Sequence, residues 1–279
     1  MSAALSRPPE PSPRLQRASG IGRISVGTRG GRTVLATLYQ EGCAKIRLPN
    51  THSPAVEAVL INTAGGLTGG DRLAWQVEAA PDARLALTTQ ACERVYRTTG
   101  PTARVETRLS AGAGAHLDWL PQETILFEDS VLDRRIEIDL AEGASLTAVE
   151  AILLGRDAMG EEARHARLSD NWRIRREGRL VHAEATRLSG HPALERDAPS
   201  LLAGMRAFAS LVHIAPNAER RLSAIRACFS GDPRVAASAE GERLVIRAMA
   251  QSGLALRRII VPIVADLSGA GSLPRLWHS

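Results

Sequence analysis

Aromatic side chains make up only 3% of the 279 residues, too few for the base-stacking platforms on which proteins hold single-stranded nucleic acid. Cysteine is as scarce. Cys43, Cys92 and Cys228 lie far apart and form no C-x-x-C pair, which excludes a zinc ribbon and a disulfide framework and leads us to expect a cytoplasmic protein. Lys45 is the only lysine among 35 basic residues, and no block of five consecutive basic residues occurs, so the net charge of +5 is weak support for a polyanion partner. The longest apolar run, residues 259–265, is broken by Pro262 and falls far short of the roughly 20 residues that span a bilayer. Neither G-x-S-x-G nor H-E-x-x-H occurs, so hydrolysis by those routes has no foothold. Residues 1–18 carry Pro8, Pro9, Pro11 and Pro13 without an apolar signal-peptide segment. They read as a disordered leader ahead of a single β-rich domain over 19–279.

What is present is the composition of a globular protein: 44% hydrophobic and 23% charged residues. A chain of this mass can bury roughly 73% of its surface without staples. From Ile21 to about Leu188 the pattern has period two, as in Ile24-Ser25-Val26-Gly27 and in residues 33–38, which is strand spacing. Three stretches are alike: 71–89, 103–120 and 135–152. Each is an alternating strand, a small-residue corner and a second strand opening Ala-x-Leu. The anchors Leu85, Leu117 and Leu146 recur at nearly equal intervals, as in stacked strand-corner-strand layers; an ordinary meander rich in Ala and Gly is the alternative. A hairpin is expected to turn at Glu177-Gly178.

The spacing of Leu201, Leu202, Met205, Phe208, Ala209 and Val212 predicts one face of a helix. A second helix is expected after Pro216, with Asn217 as its N-cap, so that helices occupy about 198–230. A strand is expected over 242–249 and a last helix over 253–266. The predicted fold is therefore mainly β, a β-helix-like or layered stack of strands with a small α-helical element toward the C-terminal part.

Residues 65–70 read Gly-Gly-Leu-Thr-Gly-Gly but are followed by Asp71-Arg72, not by the Lys-Ser/Thr that a phosphate loop requires. The spacing predicts a glycine hairpin turn. Glu162 and His165 have E-x-x-H spacing, but a single copy reads as a surface charge pair. Carboxylates set within apolar strand sequence are more informative: Asp118, Glu123, Glu150 and Glu161. Such groups pair with arginine, face water, or line a polar cavity. A passage lined with Asp and Glu would suit a divalent cation in transit, because oxygen ligands hold metals such as Ni²⁺ weakly.

Four blocks together resemble one family. They are residues 60–71 (LINTAGGLTGGD), 88–97 (TTQACERVYR), 119–127 (WLPQETILF) and 155–161 (GRDAMGE), closed by Pro274-Arg-Leu-Trp277. In this order they are similar to the urease accessory protein UreD family, also called UreH. The resemblance implies a non-enzymatic scaffold for GTP-dependent insertion of nickel into apo-urease. Its implied partners are apo-urease, UreF and, through UreF, the GTPase UreG, with neither nucleic acid nor membrane. It also implies a β-rich stack with a small helical part, an internal nickel passage, and no tightly bound cofactor, only transient Ni²⁺. Carried over by motif position, Asp71, Glu93, Glu123 and Glu161 are the candidate metal-contacting residues, with Asp118 and Glu150 added from the strand pattern. Gly65, Gly66, Gly69 and Gly70 are expected to shape the backbone. Cys92 stands where the family commonly has alanine, and Arg94 where it has lysine. The Cys92 thiol is either a soft ligand beside Glu93 or a small buried residue. Arg220, Arg221 and Arg226 are expected to meet an acidic partner. Two other readings compete: an acid/base enzyme using Asp118 and Glu123, and a nucleic-acid binder driven by net charge.

Overall fold

The structure is a computed structural model that describes residues 16–51, 53, 55–191, 196–269 and 273–278. Most of the leader expected over 1–18 thus lies outside the described residues. The described chain holds strands β1 (Ser19–Arg29), β2 (Arg32–Gly42), β3 (Ala44–Arg47), β4 (Val56–Asn62), β5 (Arg72–Ala79), β6 (Arg84–Thr89), β7 (Glu93–Val95), β8 (Ala103–Ala111) and β9 (His116–Leu120). They are followed by β10 (Thr124–Leu126), β11 (Val131–Leu140), β12 (Ser145–Leu154), β13 (Arg167–Arg176), β14 (Arg179–Leu188), β15 (Ala207–Ile214), β16 (Val235–Glu240) and β17 (Arg243–Ala250). The α-helices are α1 (Leu222–Ala227) and α2 (Gly253–Leu267).

Two sheets face each other. The first runs β14-β13-β11-β8-β5-β1-β2 and the second β16-β17-β15-β12-β9-β6-β4-β3. Within the first, β1, β5, β8, β11 and β13 are parallel. Within the second, β4, β6, β9 and β12 are parallel. From β4 to β13 the long strands alternate between the sheets, so the chain winds as a β-solenoid-like stack, and the repeats expected over 71–89, 103–120 and 135–152 are its successive coils. Leu117 is in register with both Leu85 and Leu146, and all three are fully buried. The layered reading is correct and the meander is not. Period-two patterning explains the packing: in β11, Leu132, Arg134, Ile136, Ile138 and Leu140 are buried while Arg135, Glu137 and Asp139 are exposed, as the pleat requires.

Each coil has a third, short side. Strands β7 and β10 are parallel to one another, and β10 is parallel to β12. Leu67 bridges Val95 in the same sense. Leu67, Val95, Leu126 and Leu154 therefore stack in consecutive coils, each almost wholly buried. Residues 65–70 do not form the predicted hairpin: they carry the chain from β4 in the second sheet to β5 in the first. The glycines serve that crossing. Gly66 has φ 145°, and a Cβ there would lie 2.4 Å from the Tyr96 ring and 2.7 Å from the Arg94 carbonyl.

The helix expected around Leu201–Val212 does not form: residues 201–204 are turn and Ala207–Ile214 is strand β15. β15 pairs with β12 on one side and β17 on the other and is buried on both faces, Val212 and Ile214 against the solenoid interior and Ala207, Ala209 and Leu211 against a second core. A short, largely apolar segment satisfies helix and strand periodicity alike, and the free edge of β12 decides between them. Asn217 is not the predicted N-cap: it sits in the left-handed region at φ 67° without a side-chain capping bond, ahead of a 3₁₀ turn at Ala218–Arg221. Only the six residues of α1 are α-helical there.

The C-terminal helix is α2, capped by Ser252, whose hydroxyl accepts from the Ala255 amide. Leu256, Ile260, Ile263, Val264 and Leu267 bury its inner face against the outer side of the second sheet, forming that second core. The hairpin at Glu177-Gly178 joins β13 and β14, with φ of 49° and 74°, the two positive values of a type I′ turn.

Candidate functional site

The solenoid interior is mainly apolar; apart from Thr107 and a His182–Glu184–Ser210 cluster between β14 and β15, its charged side chains form one series. It begins at Asp71, whose Oδ1 accepts from the Ala18 amide at 2.8 Å and whose Oδ2 accepts from the Thr68 amide at 2.8 Å. This carboxylate ties the first described residues to the glycine crossing. Glu93 follows on β7. Its carboxylate accepts from the Asn62 amide at 3.1 and 3.3 Å beside a cavity of about 180 Å³ lined by Asn62, Thr89, Cys92 and Glu93. Burial pushes its pKa from 4.5 up to about 7; Asn62 opposes the rise and Asp71 adds to it.

Thr124 is in register with Glu93 in the next coil, so both side chains sit on the inward face. The Thr124 hydroxyl accepts from Arg134 Nη1 at 3.1 Å. Arg134 is also paired with Glu150, and with Asp170 at 2.6 Å. Glu150 accepts in addition from the Trp119 indole N–H at 2.9 Å. All three charged side chains are at most 6% exposed. Two carboxylates thus share one guanidinium in a low-dielectric interior. Burial raises the Glu150 pKa against the pull of Arg134, and the two carboxylates hold Arg134 charged.

The other expected residues lie apart from this series. Asp118 is on the opposite face of the second sheet, since Leu117 and Trp119 point into the solenoid. It pairs with His116 Nε2 at 2.7 Å and accepts from the Ser268 hydroxyl at 2.6 Å, fastening the end of α2. Glu123 pairs with Arg257 at 3.1 Å and accepts from the Cys92 thiol at 3.4 Å. Burial, with Glu123 adding to it, pushes that thiol up to about 11, so at neutral pH it is a protonated donor. Glu161 accepts from the Glu128 amide at 2.6 Å and pairs with Arg156, shaping a surface turn. Asp118 and Glu123 therefore occupy separate networks and do not form the acid/base pair of the enzymatic reading.

Glu162 pairs with Arg164 and Arg196, while His165 pairs with Glu128, so E-x-x-H is not a unit. Among the described residues, Glu128, Asp129 and His165 are the three whose ligand atoms come close enough to share an ion. Of the arginines assigned to a partner, Arg221 is paired with Asp266 at 2.8 Å and Arg226 donates to the Ala237 carbonyl at 2.9 Å, so both are already engaged within the chain. Arg134 and Asp170 were not singled out from sequence. The signal was present: both occupy the parity of buried residues in their strands.

The stack also explains the four blocks that carry the family resemblance. Leu67, Val95, Leu126 and Leu154 lie in or beside these blocks, so the blocks are one corner repeated in successive coils. Tyr96 and Phe127, each one residue after its leucine or valine, meet edge to face at 5.0 Å, and the Arg156 guanidinium lies 4.5 Å over the Phe127 ring.

Comparison with known proteins agrees with this placement. The family described as "UreD urease accessory protein" matches residues 18–278. A protein named "Urease accessory protein UreD" from Chelativorans sp. (strain BNC1) is 60% identical over 267 residues, covering 96% of each chain. Proteins of the same name from Rhizobium rhizogenes (strain K84 / ATCC BAA-868) and Rhizobium etli (strain ATCC 51251 / DSM 11541 / JCM 21823 / NBRC 15573 / CFN 42) are 49% and 48% identical, covering 96% and 95% of this chain and 97% of theirs. With a repeated corner built from the resembling blocks and a family match over nearly its whole length, the chain belongs to the UreD family of urease accessory proteins.

Proposed function

We propose that this chain is a non-catalytic scaffold for nickel insertion into urease, acting with apo-urease, UreF and UreG in a GTP-dependent assembly, with Ni²⁺ as transient cargo. The observation that carries the cargo role is the interior series Asp71, Glu93, Glu150 and Asp170. It offers oxygen ligands one or two at a time, which suits brief contact more than retention. Arg134 neutralises part of the charge of Glu150 and Asp170, lowering the attraction for a dication in that stretch. Glu93 stands ahead of the arginine with only Asn62 as side-chain donor, and it is the first carboxylate whose proton a metal would displace. Cys92 lines the same pocket as Glu93, and its thiol donates to Glu123. Asp118 and Glu161 support the scaffold by holding α2 and the 127–130 turn. No helix of the described residues is long and apolar enough to cross a membrane.

The test is co-expression of apo-urease and the other accessory proteins with this chain present, absent, or carrying Asp71→Ala, Glu93→Gln or Glu161→Ala. Urease activity and urease-bound nickel should depend on the chain and fall with Glu93→Gln while the complex still assembles. Activation that is unchanged without the chain would overturn the scaffold reading. A Glu93→Gln variant that loads nickel like the parent would overturn the interior cargo route.

A further inference from the structure

The repeated corner has an outward side. Arg94, Tyr96, Ile125, Phe127, Leu153 and Leu154, taken from three successive coils, line a groove of about 600 Å³, and Gly155–Met159, Arg206 and Ser252–Leu254 close it. The motif blocks thus converge on an open surface as well as on the interior. Nine large hydrophobic side chains are exposed among the described residues, and three of them, Tyr96, Met159 and Leu254, rim this groove at 37%, 70% and 63% exposure. Apolar groups gathered around a concavity mark an interaction site, whereas apolar residues scattered singly over a surface do not.

The polar groups of the groove are unevenly balanced. Arg206 pairs with Asp157 at 3.1 Å, and Arg156 is held by Glu161. Arg94 is exposed and has no ion-pair partner among the described residues. The N-terminus of α2, Ser252–Leu254, lines the same groove. Ser252 caps only the Ala255 amide, and the first turn contains no acidic residue, so the positive end of a 15-residue helix is not countered by its own first turn. Apolar lining combined with an unpaired arginine and a helix N-terminus favours a ligand with apolar side chains flanked by carboxylates.

We propose that this groove docks an amphipathic segment of a protein partner, its apolar side chains on Ile125, Phe127 and Leu153 and its Asp or Glu residues against Arg94 and the first turn of α2. This inference rests on the accessory-protein reading and adds the surface by which the scaffold grips one of its partners. Arg94 supplies orientation and salt dependence, and Met159 and Leu254 clamp the apolar side chains.

The experiment uses the full chain, tagged and co-expressed with apo-urease and UreF, unmodified or carrying Met159→Glu with Leu254→Glu, or Arg94→Glu. All three positions are exposed, so the variants should keep the parent's urea midpoint, which is measured alongside. The double variant should lower capture of one partner by at least about tenfold. Arg94→Glu should weaken the same partner and flatten the loss of capture with added salt. Unchanged capture of both partners by the double variant would overturn the proposal. So would a change confined to self-association of the purified chain, which would make a second copy the occupant. Loss with the double variant but none with Arg94→Glu would overturn the acidic character of the ligand. None of these results touches the scaffold reading, which is judged by whether urease activation requires the chain.

Discussion

Replacing Glu93 by glutamine tests whether this pocket-lining carboxylate is held mainly by burial or mainly by its hydrogen bonds. Burial raises its pKa from 4.5 to about 7 despite the Asn62 amide. The folded chain therefore binds a proton there over a pH range in which the unfolded chain has lost it. That contribution to stability is fully present below about 4.5 and is lost as the pH rises through about 7. At about 1.4 kcal/mol per pH unit, the rise corresponds to about 3 kcal/mol. Glutamine carries no charge at any pH and keeps the size of the protonated side chain. Glu93→Gln should thus match the parent near pH 4.5 and exceed it by about 3 kcal/mol at pH 8. At about 2 °C per kcal/mol for a chain of this length, the melting temperatures should separate by about 6 °C. The assay is thermal or urea unfolding of both proteins at half-unit steps from pH 5 to 8. A parent that is more stable than the variant at pH 8 would show that Asn62 stabilises the ionised form, and a gap independent of pH would show no buried titration. Either result would refute the reasoning.

Other outcomes follow from single contacts. Arg134→Met strands Glu150 and Asp170 in the interior and should cost about 3–5 kcal/mol in urea unfolding; adding Glu150→Gln and Asp170→Asn should recover much of it. Gly66→Ala puts a Cβ 2.4 Å from Tyr96 at φ 145°, whereas Gly65→Ala meets open space at φ 77°, so the first should lower the melting temperature clearly more than the second. Leu126→Ala removes the middle of the Leu67, Val95, Leu126 and Leu154 stack and should cost about 2–5 kcal/mol. Trp277→Ala empties a buried site and leaves the Leu120 carbonyl, now accepting at 2.9 Å, without its donor, for a loss of about 3–5 kcal/mol.

The layering of this protein was legible because a solenoid writes its fold locally. Leu85, Leu117 and Leu146 recur at near-constant spacing because each coil must return to the same rung, and period-two alternation marks which side chains enter the core. The short third side was harder to read. Leu67, Val95, Leu126 and Leu154 also recur once per coil, but β7 and β10 are three residues each, too short for alternation to show. The stretch 201–212 misled because its second half, in β15, is buried on both faces and so carries no strand alternation of its own. Its state is decided by the exposed edge of β12, which offers hydrogen bonds that no local signal reports.

For the site, chain parity separates the residues that matter from those that do not. Glu150 alternates with side chains facing the helix and points inward, while Asp118 alternates with Leu117 and Trp119 and points outward. Arg134 and Asp170 share the buried parity of their strands and could have been named on that ground. Which carboxylates meet, however, depends on the facing of the two sheets. Arg134 and Asp170 come from the first sheet and Glu150 from the second, and 16 residues separate Arg134 from Glu150 along the chain. The sequence by itself determined the family, the coil repeat and the inward or outward sense of each strand residue, because all three are properties of local order. Only the tertiary structure decided that two carboxylates share one arginine, that Glu93 borders a cavity, and that the resembling blocks wall a groove, because these are distances between coils and sheets.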